Sequence, residues 1–431
     1  MTGRPFSLRA YGAVTGSLRP VADAILARRL KAGKEDPERI EERRGVAGAP
    51  RPEGRLLWLH GASVGESLSI LPLIGALSAR MPSLSFLVTT GTRTSAQLMA
   101  DRLPAAAIHQ YAPIDQPAYV ERFLDHWRPD AGLFVESELW PSLIGAAQAR
   151  GVPLGLVNGR MSPRSADGWR RRPKAARALL DAFSVILAQD GANQDRFSAL
   201  AGRPARLTGN LKHAAPPLPV DASALHRLAE AVAGRPVWLA SSTHEGEEED
   251  VVAAHRQVAA ALPGLLTMIA PRHPERGDAV EAIIRGAGLS VARRSKGDLP
   301  GSDDEVYLAD TLGELGLFYR LSDVSFIGGS LSETGGHNPL EPARLGCAIV
   351  TGPHLFNFEE IYAGMRRAGG SALVRNGRDL AASLLRLLSD PMTREGMAES
   401  AQAWSEEAAA AVLADVLDAI EPLVAPLGAA A

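Results

Sequence analysis

"LLWLHGASVGESLSILPLI", residues 56–74, begins as an unbroken apolar run, passes two glycines, and continues with leucines and isoleucines at helical spacing. A short run that is apolar throughout suits a strand buried on both faces, and the later change of period marks a helix. The stretch therefore reads as one strand–turn–helix unit: a strand ending at Leu59, a turn over Gly61 to Gly65, and Glu66 at or just before the helix start. Ligands of parallel α/β sheets bind beyond the carboxyl ends of the strands, so the same turn is a candidate site.

The unit recurs along the chain. Apolar runs at 56–59, 85–89, 132–135, 154–157, 185–188 and 206–208 alternate with segments of helical periodicity, which predicts a first parallel sheet of six strands. "NLKHAAPPLPVD", residues 210–221, has three prolines in four residues and predicts a stiff, extended connector. The pattern restarts at 237–240, 265–269, 306–308, 324–327 and 348–350. The expected fold class is α/β, with two Rossmann-like parallel-sheet domains facing a central cleft. Its divisions are a basic segment at 1–34, an N-terminal domain at 35–213, a linker at 214–222, a C-terminal domain at 223–405, and a C-terminal helix and tail at 406–431. Alanine-rich Ser400 to Leu423 reads as the helix, and "APLGAAA" as a frayed end.

With 431 residues, 46% of them hydrophobic, the chain has the composition of a soluble protein of two or three domains. Its one cysteine, Cys347, allows no internal disulfide and points to a reducing compartment. No apolar stretch approaches the roughly 20 residues of a spanning helix, and arginines interrupt the start of the chain where a secretory signal would lie. No nucleic-acid partner is expected. Met1 to Lys34 carries Arg4, Arg9, Arg19, Arg28, Arg29, Lys31 and Lys34 against Asp23 alone, with Leu8, Tyr11, Val14, Leu18, Val21, Ile25, Leu26 and Leu30 at helical spacing. Such a helix suits either an anionic bilayer surface or the body of the protein.

Nearly every strand exit is polar or glycine-rich. At the helix start Glu66 is favoured as a carboxylate and suits a general base; a capping carboxylate is the structural alternative. The glycine spacing is GxxxG, without the phosphate-binding fingerprints GxGxxG or GxxxxGK[ST]. Ser63 sits in a formal GxSxG, the pattern of a nucleophilic serine, with no assignable His and Asp partners. In "ESELWP", Glu136 and Glu138 point the same way by strand alternation, Glu138 being the better cleft residue. Lys212 in "GNLKHA" follows a strand at the domain boundary, where an ammonium suits a phosphate or a sugar carboxylate; a solvated lysine is the alternative. "APRHPER" offers Arg272 and His273, with Arg276 as a spare charge. "FIGGSLSETGGHNPLEPARLG" places two glycine pairs before Asn338 and Glu341; its backbone N–H groups suit phosphate oxygens and Glu341 suits ribose hydroxyls. "STHEGEEEDVVAAH" lacks the HExxH spacing of a zinc site, and Ser242 with Glu245 reads as a capping box.

The blocks "SVGE", "ESELWP", "NGRMSPRS", "GNLKHA", "STHEGEEE", "PRHPER", "DTLGEL", "GGSLSETGGHNPLEP" and "GPHLFNFEEI" run in order from about residue 35 to 362. In them the sequence closely resembles the 3-deoxy-D-manno-octulosonic acid (Kdo) transferases of lipopolysaccharide synthesis. The resemblance implies a GT-B glycosyltransferase that moves Kdo from CMP-Kdo to a hydroxyl of the tetraacylated lipid A precursor, with inversion and release of CMP. It implies Glu66 as general base, with Glu138 and Lys212 assisting the transition state. Pro271, Arg272, Leu312, Gly313, Glu314, Asn338, Pro339, Leu340 and Glu341 would surround CMP. No metal or other cofactor is expected, and the expected location is the cytoplasmic face of the inner membrane. The basic segment Arg160 to Arg177 suits either acceptor phosphates or a solvated basic face. Arg93 and Ser95 depart from the Pro and Gly expected in the family. The competing readings are another GT-B enzyme, either a nucleotide-sugar epimerase or a UDP-sugar transferase, and a non-catalytic binder of anionic lipid.

Overall fold

The run Leu56–His60 forms β1, buried along its whole length because clusters of apolar side chains cover both faces of its sheet. Leu56 and Trp58 belong to one cluster, Leu57 and Leu59 to the other, which is why the strand reads as continuously apolar. The computed structural model describes residues 5–428; Arg4 and the last three alanines lie outside the described residues. Two compact units share the chain, the first holding residues up to Pro216 with those from Ala409 onward, the second Pro217–Ala408.

The first unit adds β2 (Ser85–Thr90), β3 (Ala107–Tyr111), β4 (Ala131–Val135), β5 (Leu154–Gly159), β6 (Phe183–Ala188) and β7 (Arg206–Leu207). All pair in parallel in the order β3-β2-β1-β4-β5-β6-β7. The second holds β8 (Val237–Thr243), β9 (Leu266–Pro271), β10 (Val291–Arg293), β11 (Val306–Leu308), β12 (Val324–Ile327), β13 (Ala348–Thr351) and β14 (Ser371–Leu373), parallel in the order β10-β11-β9-β8-β12-β13-β14. Strand order reverses between β1 and β4 and between β8 and β12, and a doubly wound sheet opens a crevice at such a point.

The strands absent from the sequence reading are β3, β10 and β14. Each has an outer position in its sheet. β10 and β14 have three residues each, too few to show a period. In β3 the sequence AIHQY hides the strand behind two polar side chains whose partners come from other elements: His109 Nε2 meets Thr90 Oγ1 at 2.9 Å, and Gln110 Oε1 accepts from Trp127 Nε1 at 2.8 Å, while Gln110 Nε2 has no partner among the described residues.

The proline-rich connector is extended only from Ala215. Before it, Leu211–Ala214 makes a 3-10 turn started by Asn210, whose side chain accepts from Lys212 N at 3.0 Å. The C-terminal helix is also longer than its composition suggested, running Pro391–Gly428 and including the APLG expected to fray. Ala401 and Trp404 pack into the second unit's core, and Val416, Ile420, Val424 and Leu427 into the first's, so residues 409–428 are not a free-standing tail. Near the N-terminus, Phe6–Ser17 and Arg19–Lys31 are helices anchored by buried Leu8 and Leu26 and by Tyr11 and Asp23, which bond Asp115 and Tyr119. Among the described residues no helix is long and apolar enough to cross a membrane.

Candidate active site

In the first unit the side chains gather where β1 and β4 end. Ser63 caps the helix Val64–Arg80 by accepting from Glu66 N, and Glu66 closes the box by accepting from Ala62 N at 2.7 Å and Ser63 Oγ at 2.6 Å. The local sequence dictates this, since a serine three residues before a glutamate satisfies two orphan N–H groups at a helix start. The capping role and a chemical one are compatible, because each carboxylate oxygen keeps a lone pair. Burial raises the Glu66 pKa, and the neighbouring charges of Glu138 and Glu136 push the same way, against the bonds from Ser63 and Ala62. Gly61 and Gly65 make room for this group: a Cβ at Gly61 would press on Glu66 Cβ at 3.1 Å, and one at Gly65 would touch Lys212 Nζ at 3.4 Å. Ser63 gives its hydroxyl proton to Glu66, so its place is that of a cap and not of a histidine-activated nucleophile.

Glu136 and Glu138 do not share a direction as strand alternation suggested. β4 ends at Val135, and Glu136 turns out of it with φ +58°, so the period of two stops there. Glu136 is buried and pairs with Lys212 Nζ at 2.5 Å. Glu138 instead faces His60 Nε2 at 3.7 Å. His60 is fully buried, with Nδ1 2.9 Å from Thr89 Oγ1, which also accepts the indole N–H of Trp58 at 2.9 Å. The structure thus brings together Glu66, Glu138 and Lys212, and adds Glu136 and His60. The apolar run predicts a strand ending at Leu59 and so leaves out His60, whose place inside a fully buried strand is the signal that could have found it; the choice of Glu136 as the lysine's partner had no local signal.

In the second unit the exits of β8, β9 and β12 converge. Pro271 ends β9, and Arg272 follows with its N–H on the Thr243 carbonyl at 3.0 Å and its side chain exposed. Asn338 donates to Glu341 Oε1 at 3.3 Å and accepts from Leu340 N at 3.1 Å. Burial raises the Glu341 pKa, opposed by Asn338 and the Arg272 charge, which places Arg272 and the 338–341 turn in one field. Leu312 is exposed and Gly313 takes φ +81°, while Glu314 is held by Arg294 at 2.6 Å and Thr311 at 2.5 Å at the start of the helix Leu315–Leu321. Glu314 therefore offers a fixed backbone turn more than a free carboxylate.

Three expectations change here. Arg276 is no spare charge: it pairs with the fully buried Glu248 at 2.6 Å. The glycine-rich loop is also not an open phosphate cradle. Glu247, 1% exposed, takes the loop's amides: Gly329 N at 2.7 Å, Ser330 N and Leu331 N at 2.9 Å, Ser332 N at 3.4 Å, and also His244 N at 2.9 Å. Ser242 and Glu245 form no capping box, because Ser242 has φ +54° and the helix starts later, at Glu247 after Gly246. Gly328 is required by close approach, since a Cβ there would lie 2.6 Å from the Ser242 carbonyl oxygen. Among the described residues no three His, Cys, Asp or Glu side chains are grouped as metal ligands. Cys347 is buried with its thiol pushed up to about 12 by burial, so it is no nucleophile.

Comparison with known proteins agrees with these motifs. Residues 38–215 match the family model described as 3-deoxy-D-manno-octulosonic-acid transferase (kdotransferase). The chain is similar to the 3-deoxy-D-manno-octulosonic acid transferase of Rickettsia bellii, 36% identical over 89% of this chain and 91% of that one. It is likewise 35% identical to the enzyme of that name from Haemophilus influenzae, over 83% of this chain and 85% of the other. A solved glycosyltransferase from Rickettsia africae, 10% identical, superposes with a TM-score of 0.58 over 86% of this chain and 99% of its own, a likeness of fold.

Proposed function

This chain belongs to the family of 3-deoxy-D-manno-octulosonic acid (Kdo) transferases and has the GT-B fold, and from that premise we propose that it moves Kdo from CMP-Kdo to a hydroxyl of the tetraacylated lipid A precursor. The observation that carries the reading is the Glu66 carboxylate, set at the switch point of the first sheet with its proton affinity raised by burial and two neighbouring glutamates. A carboxylate so tuned is a competent base near neutral pH. The acceptor hydroxyl gives its proton to Glu66 as its oxygen bonds to the anomeric carbon of Kdo. The bond from that carbon to the phosphate oxygen breaks on the opposite side, CMP leaves with the electron pair, and configuration inverts. No metal takes part in this scheme: Arg272 meets the charge developing on the phosphate, and Glu341 receives the ribose hydroxyls.

Lys212 acts with the carboxylates in this scheme, since its ammonium is already on Glu136. Lys212→Gln leaves Glu136 uncompensated beside Glu66. The expected result is a kcat about 10²-fold lower and an acid limb of the pH–kcat profile displaced to higher pH; an unmoved limb would remove Lys212 from the mechanism.

The acceptor combines phosphates with acyl chains, and two surfaces of the first unit suit it. Arg160, Arg164, Arg171, Arg172 and Lys174 are exposed on one segment. The N-terminal helices expose Phe6, Val14, Leu18, Val21 and Ile25 among Arg9, Arg19 and Arg28, a face suited to peripheral attachment at the cytoplasmic side of the inner membrane. Mass spectrometry of the lipid formed from lipid A precursor and CMP-Kdo tests donor and acceptor together. A Kdo-bearing product with matching CMP release is expected; consumption of a UDP-sugar instead would sink the reading.

A further inference from the structure

The donor's phosphate needs partners in the second unit, and the amides best shaped for it are already on Glu247. What stands at the β8/β12 switch point instead is a pair of imidazoles. His244 follows β8 and His337 lies in the loop after β12; their Nε2 atoms are 2.8 Å apart and their rings nearly parallel, at 7°. His273, from the exit of β9, stands edge-on to His244 with ring centroids 5.8 Å apart. Glu247 fixes this arrangement from below, because one carboxylate accepts both the His244 N–H and the N–H groups of the loop leading to His337.

We propose that His244 and His337 together bind the phosphate of the nucleotide-sugar donor, with Glu247 as the positioning residue that sets their spacing. The inference rests on the CMP-Kdo reading above and adds residues to it. Two nitrogens at this distance hold one proton between them, so the pair is short of protons for its number of acceptors. Burial lowers the His337 pKa to about 4, and the charges of His244, Arg272 and His273 act in the same direction. Burial also lowers the His244 pKa, with His273 and Arg272 lowering it further and Glu247 and Glu248 opposing. Both of those glutamates are occupied, Glu247 by amides and Glu248 by Arg276 and Thr243. A phosphate oxygen is the ligand that reverses the balance: it accepts an imidazole N–H, supplies the missing negative charge, and makes a second proton on the pair favourable.

The test compares CMP with cytidine, which lacks the phosphate, by titration calorimetry on the full chain and on the His244→Gln/His337→Gln double variant. Wild type is expected to prefer CMP and to take up protons as it binds, seen as a dependence of the heat on buffer ionisation. In the variant the CMP-over-cytidine preference is expected to fall at least tenfold and the proton uptake to vanish, while cytidine affinity stays, which also reports an intact site. A variant that keeps the wild-type preference overturns the proposal. So does one that loses affinity for the bis-phosphorylated acceptor while keeping it for CMP, because the pair would then serve the other phosphate. Failure of wild type to bind either CMP or cytidine would instead sink the donor reading itself.

Discussion

Glu66→Gln is expected to lower kcat by about 10³-fold, within the range that a positioned general base contributes, and to leave the affinity for CMP unchanged. Glutamine is the informative replacement because it preserves the local fold. The helix start needs an acceptor three residues after Ser63, and the amide oxygen can keep the bond from Ala62 N while the Ser63 hydroxyl turns from donor to acceptor of the new amide N–H. The ability to take a proton is lost. Stability should not fall with activity. Burial raises the Glu66 pKa, so the native state holds this proton more tightly than the unfolded chain does. The associated stability is present at low pH and is lost as pH rises from the ordinary carboxylate range through the raised value. At neutral pH glutamine removes that cost, and the variant should unfold no earlier than wild type. The wild-type pH–kcat profile should show an acid limb above the usual carboxylate range, absent from the residual activity of the variant. Wild-type kcat in Glu66→Gln, or an acid limb that survives the change, would take the base role from this residue.

Glu247→Ala is expected to produce the largest loss of stability, about 3–5 kcal/mol. The carboxylate is 1% exposed and accepts from His244, Gly329, Ser330, Leu331 and Ser332. Four of those donors, His244, Gly329, Ser330 and Leu331, bond it at 2.9 Å or less, and the last three are consecutive, so its removal leaves adjacent N–H groups turned toward one another with nothing to receive them. Hydrogen exchange gives the local readout: amides of residues 329–331 should lose protection first, and thermal unfolding of the second unit should begin earlier. CMP binding should weaken with them, since the loop carries His337 and Asn338. Unchanged protection at those amides would mean that the loop holds its shape without the carboxylate. The arrangement also explains a glycine-rich loop without a phosphate fingerprint. Its N–H groups converge on an anion as those of a nucleotide-binding loop do, and the anion is a side chain of the protein.

The alternation of buried strands with amphipathic helices was legible because hydrophobic period is a property of neighbouring residues, and both sheets follow from it. The strands it missed are short or carry polar groups whose partners come from elsewhere, as His109 and Gln110 show. The capping geometry of Ser63 and Glu66 was equally local, and strand exits alone pointed to Glu66, Glu138, Lys212, Arg272 and the Asn338–Glu341 turn. Partnership was not local. Lys212 is on Glu136 and not on Glu138 because β4 ends one residue before a left-handed turn. The glycine-rich loop is filled because β8 lies beside β12, which brings Glu247 beneath it. His60 meets Glu138, and His244 meets His337, for the same reason: each sheet reverses its order between the two strands that carry them. Periodicity along the chain determined which segments are strands and where their reactive ends fall; strand order, a product of long-range packing, decided which of those ends share a proton or a charge.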